Sequence, residues 1–101
     1  MKWEYEEDYL CCEIFVWNHV LCSKKISDSV QQALNNWVNK NRDKIKLKGS
    51  IKMKFSNIAS LCDKYNIQVL SKSNRLANYS QQNETAFKSV INKLKDRIQS
   101  R

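Results

Sequence analysis

The chain has 101 residues, 42% hydrophobic and 10% aromatic, with a formal charge of +8. That is about one domain's worth of sequence with enough apolar content for a core, which excludes a disordered tail. It has no Pro and a single Gly, Gly49, so it lacks the turn residues β-rich folds lean on, and an all-α fold is expected.

The first predicted helix runs from near Glu4 to about Leu21. Acids crowd its first turn, where they complement the helix dipole. Leu10, Ile14, Trp17 and Leu21 recur at spacings of four, three and four, and Phe15, Val16 and Val20 widen the stripe. Burial on more than one side is expected. After the polar break Ser23-Lys24-Lys25, a second helix starts at Ser27 or Asp28, both good N-caps. Val30, Ala33, Leu34, Trp37 and Val38 share one face, and Asn35, Asn36, Asn39 and Lys40 the other. Fraying is expected around Asn41–Asp43, and alternating residues 44–48 read as a short extended connector.

In the third helix Gly49 supplies the turn and Ser50 the cap. Ile51, Phe55, Ile58 and Cys62 form its apolar stripe, joined by Ala59. Met53, Ser56, Asn57, Ser60 and Lys64 lie opposite, flanked by Lys52 and Lys54, and the helix ends near Tyr65-Asn66. Residues 66–82 are polar and irregular apart from Ile67, Val69, Leu70 and Leu76. A connection of that length is expected to pack on the helices or to contact a ligand. The fourth helix runs from about Asn83 to Ile98 on a stripe of Phe87, Val90, Ile91, Leu94 and Ile98. Its end is basic, with Lys93, Lys95, Arg97 and Arg101. Without repeat, low-complexity tract or linker, the chain reads as one domain.

No apolar run approaches the ~18 residues of a membrane span, and the N-terminus has no signal-peptide core, so a cytoplasmic location away from membranes is expected. Cys11, Cys12, Cys22 and Cys62 read as reduced thiols, because adjacent cysteines make a poor disulfide framework. His19 and Cys22 could face one ion, but there is no CxxC and no second His, so neither metal nor cofactor is expected. One glycine cannot build a phosphate loop. Cys22 beside His19 has nothing that supplies an oxyanion hole, and Glu6-Glu7-Asp8 reads as a solvated helix start. No enzymatic activity is expected.

The charge points to a binding role. Residues 1–20 sum to −4 and residues 21–101 to +12, which suggests a polyanionic partner, most simply nucleic acid. In a helix-turn-helix the second helix places its N-terminal residues at base edges while flanking bases hold phosphates. On that layout Met53, Ser56, Asn57 and Ser60 face bases, Lys48, Lys52, Lys54 and Lys64 face phosphates, and Ser50 opens the helix. Asn is a natural reader of adenine.

Three segments carry a resemblance. Trp3-Glu4-Tyr5-Glu6-Glu7-Asp8 resembles a W-T-x-E-E-D/E start, and Ser50-Ile51-Lys52-Met53-Lys54-Phe55-Ser56-Asn57-Ile58-Ala59-Ser60-Leu61 resembles S-v-x-M-K-l-x-N-f-a-s-L. Leu76-Ala77-Asn78-Tyr79-Ser80, with Asn83-Glu84 and Phe87, is similar to an L-S-N-x-S turn and the helix after it. These are motifs of a Myb-like helix-turn-helix domain found at the N-terminus of bacterial HNH-type restriction endonucleases and in short bacterial and phage proteins. Lys48-Gly49 stands where that family often has Thr-Pro, Ala77 where it often has Ser, and the 101 residues contain no HNH motif. The resemblance implies a small helical bundle with a tri-helical core plus a C-terminal helix. It also implies double-stranded DNA binding without cleavage, as in a regulator or part of a mobile-element defence system.

Two other readings stand beside it. A protein–protein module could inhibit a host defence nuclease complex, with the acidic start of the first helix as its docking patch. RNA could stack on Tyr65 and Tyr79. Pairing of the fourth helix with its copy would make a homodimer.

Overall fold

The computed structural model describes residues 3–40, 50–69 and 74–100. The fraying expected at Asn41–Asp43, the connector 44–48, Lys48 and Gly49 all lie outside the described residues. So does the side chain of Ser50, the first residue of its helix. Five α-helices form a small all-α bundle, with no strand among the described residues. They are α1 (Tyr5–Phe15), α2 (Asp28–Lys40), α3 (Ser50–Lys64), α4 (Gln81–Lys93) and α5 (Lys95–Gln99). No helix among the described residues is long and apolar enough to cross a membrane.

At the start of α1 the Glu7 carboxylate accepts the Glu4 backbone N–H at 2.8 Å, half of a capping box. From Val16 to Leu21 the chain continues α1 as a π-helical turn. Asn18 Nδ2 donates to the Ile14 carbonyl at 2.7 Å where the register changes. The π-turn inserts about one residue into the helical count. The stripe expected through Leu10, Ile14, Trp17 and Leu21 is not the buried one, because Glu7, Asp8, Cys11, Cys12 and Phe15 take the inner face of α1 ahead of that turn. Cys11, Cys12, Phe15, Val16 and Val20 are fully buried, Leu10, Ile14 and Leu21 are half-buried, and Trp17 is exposed. Ser23 closes the turn at φ 55, with Lys24 N donating to Asn18 O.

Ser27 caps α2, its Oγ accepting from Val30 N at 3.2 Å. This helix buries only Leu34 and Val38, leaving Val30, Ala33 and Trp37 of its expected apolar face exposed, because α2 sits at the edge of the bundle. The stripe of α3 is buried as expected at Ile51, Phe55, Ile58, Ala59 and Cys62, and Leu61 joins it. Asn66 ends the helix at φ 57. Ile67 N donates to Cys62 O and Asn66 N to Asp63 O, the two bonds of a Schellman motif.

The fourth helix begins earlier than expected. Ser80 is its cap, Oγ accepting from Asn83 N at 3.0 Å, so Asn83 lies in the first turn and is fully buried. The helix breaks at Leu94, and α5 continues beyond it. α1 is the centre of the fold and packs most extensively on α4, then on α3. Of the 66–82 connection, Ile67 is buried, Val69 and Tyr79 pack against the core, and Leu76 N donates to Ser56 O.

Candidate nucleic-acid interface

The expected site residues of α3 do not share one face. Met53, Ser56, Asn57, Ser60 and Lys64 follow helical spacing along one accessible side, with Lys52 and Asp63 on its flank. Met53 is 54% exposed, and Ser56, Asn57 and Ser60 are half-buried. The Ser56 hydroxyl donates back to the Lys52 carbonyl at 3.1 Å. Asn57 Oδ1 is sheltered and has no hydrogen-bond partner among the described residues.

Lys54 corrects the expectation. It is 5% exposed, its Nζ 2.6 Å from the fully buried Asp8 Oδ1 and 4.5 Å from the Trp3 ring centroid. Gln82 Nε2 completes the cluster, donating to Asp8 Oδ2 at 2.7 Å and to the Trp3 carbonyl at 2.8 Å. This lysine ties the N-terminal segment to α3 and cannot reach a phosphate. Glu7 and Asp8 are equally far from a solvated helix start, since both are buried. Lys64 is exposed, but Glu84 already neutralises it at 2.6 Å, with Tyr65 and Tyr79 beneath the ammonium. That contact holds Lys64 above, and Glu84 below, their ordinary pKa values. Tyr65 is committed to the fold too, stacked on Phe87 with its hydroxyl bonded to Glu84.

The structure adds groups that the motif reading passed over. A cleft of about 400 Å³ and mixed polarity opens beside the first turns of α3, with Phe15, Ile26 and Phe55 in its wall and His19, Lys25, Asp28, Gln31, Lys52 and Asn74 in its polar lining. Neither Lys25 nor Lys52 pairs with an acid among the described residues. His19 is stacked on Phe15 with centroids 4.3 Å apart. Burial, then the positive charges of Arg75 and Lys25, hold its imidazole below the ordinary 6.5. The available signal was Lys25 itself, two residues before the Ser27 cap, a position that brings it beside the start of α2.

Among the described residues, no three His, Cys, Asp or Glu side chains converge as a metal ion would require. None of the four cysteines is in a disulfide; three are buried and Cys22 is exposed. Comparison with known proteins finds no matching family model, no matching curated protein and no matching solved structure.

Proposed function

We propose that this is a non-enzymatic, double-stranded DNA-binding protein that directs the first half of α3 into the major groove. Met53, Ser56, the Nδ2 amide of Asn57 and Ser60 meet base edges, while Lys25 and Lys52 hold phosphates on either side of the cleft. The observation that carries the reading is the accessible α3 face that starts at Lys52 and is bordered by Lys25, neither paired with an acid among the described residues. Two sequence features support it. The stretch 41–49 that leads into α3 holds Arg42, Lys44, Lys46 and Lys48 against one acid, Asp43. The 50–61 segment also resembles the motif of Myb-like helix-turn-helix domains, which fits a regulator or a defence component.

A fluorescence-anisotropy titration of a mixed-sequence duplex at low and near-physiological salt tests this. Affinity is expected to fall steeply with salt, with a log–log slope corresponding to several released counterions. No binding at low salt overturns the reading.

A further inference from the structure

A second cleft lies away from the α3 face and shares no residue with it. It runs between Tyr65 and Ile67, just past the end of α3, and the outer side of α4 and α5, with a volume of about 370 Å³. Its walls are apolar, with Phe87 buried and Ile91 and Ile98 half-buried. Lys88, Asn92, Lys95 and Gln99 line it at spacings of four, three and four, and all four are exposed. Among the described residues no acid lines the cleft and neither Lys88 nor Lys95 makes an ion pair, Lys88 lying over the Tyr65 ring at 5.7 Å.

We infer that this groove docks an amphipathic helix of a protein partner that carries acidic residues beside its apolar stripe. Phe87 and Ile98 stand eleven positions apart along α4 and α5, on the order of 16 Å across the break at Leu94, which matches roughly three turns of an incoming helix. The two lysines stand seven residues apart on one edge, so they meet acids two turns apart on the partner. The chemistry disfavours the other occupants. A phosphate backbone would gain two lysines and face aliphatic walls. A second copy packed by a two-fold axis would bring the same basic edge onto itself.

The test uses the full chain and two synthetic helical peptides of about 14 residues, near the shortest length that holds a helix in water. Both carry leucine at i, i+4, i+7 and i+11, flanked by glutamate in one and by lysine in the other. The expected result is saturable binding of the glutamate peptide with shifts at the Ile91 and Ile98 methyl resonances. The lysine peptide binds about tenfold more weakly. Lys88→Glu/Lys95→Glu, at exposed positions, reverses that preference while keeping a cooperative helical fold by circular dichroism and an unchanged DNA salt slope. Equal binding of both peptides, or no shift at Ile91 and Ile98, overturns the proposal. So does sedimentation showing a dimer that Ile98→Asp dissolves, which gives the groove to a second copy. A DNA salt slope that falls in the charge-reversed variant assigns the lysines to nucleic acid and overturns it as well.

Discussion

Lys54 Nζ sits 2.6 Å from Asp8 Oδ1 with both side chains withdrawn from solvent, so one ion pair joins α1 to α3 inside the core. Removing one member strands a buried charge, which costs about 3–5 kcal/mol, whereas replacing both by apolar groups of similar size is often close to neutral. Lys54→Met is therefore expected to cause a large loss in urea unfolding. Asp8→Leu/Lys54→Met is expected to recover most of it and to bind DNA with the wild-type salt slope. A slope lowered by one in the double variant would return Lys54 to the phosphate contacts.

The pair was legible in spacing and hidden by residue type. Asp8 lies four residues before Cys12 and seven before Phe15, and Lys54 four before Ile58 and seven before Leu61, so each charge occupies a position of a buried stripe. Charged residues are rarely buried unless paired, and the pairing partner lies on another helix, which periodicity along one helix does not show. The all-α class, the caps at Ser27 and Asn66 and the core stripe of α3 followed from local chemistry. The π-turn at Val16–Leu21 did not, because the apolar pattern reads equally well with unbroken α-helical spacing, and Trp17 lies on the less buried face that Leu10 and Ile14 share. Lys25 and His19 reach the α3 cleft only through the tertiary fold.

Asn57 separates a reading role from a structural one. Its Oδ1 is sheltered without a partner among the described residues, and an unpaired buried acceptor costs roughly 1–3 kcal/mol. Asn57→Ala removes that cost and adds helix propensity, so unfolding should show equal or higher stability. Selection from a random duplex library should show relaxed preference at one base pair, by about 1–3 kcal/mol. A destabilised Asn57→Ala would make the residue structural.

Lys25 and Lys52 give the phosphate test. Lys25→Ala and Lys52→Ala are each expected to weaken binding across all duplex sequences and to lower the salt slope by about one. Both side chains are exposed, so stability should stay within about 0.5 kcal/mol of wild type. Unchanged slopes would move the DNA off this face.

The thiols report on core integrity. Burial pushes Cys11 up to about 12 and Cys12 upward as well, while Cys22 is exposed. The thiolate is the reactive form. Native protein treated with iodoacetamide should gain one adduct at Cys22 by intact mass, and three more only in denaturant. Early labelling of Cys11 or Cys12 would mean that α1 opens under native conditions.

His19 connects stability, pH and the cleft. Its imidazole is held below 6.5 first by burial and then by Arg75 and Lys25, and the same cleft is lined by Lys52 and Asp28. The folded state therefore disfavours the imidazolium. As pH falls through 6.5 the unfolded chain takes up a proton that the folded chain declines, so stability drops from there towards the lower folded value and is level above. Unfolding curves between about pH 7 and pH 5.5 should show that drop, and His19→Gln should remove its share. As the chain has a single histidine, its ring protons can be titrated directly by NMR. Lys25→Ala should move the midpoint upward, because it removes one of the charges that oppose protonation. Duplex DNA should move it the same way, because phosphates bound by Lys25 and Lys52 cancel the positive field around the ring. A midpoint that stays in place when saturating DNA is added would show that the duplex does not approach the α3 cleft.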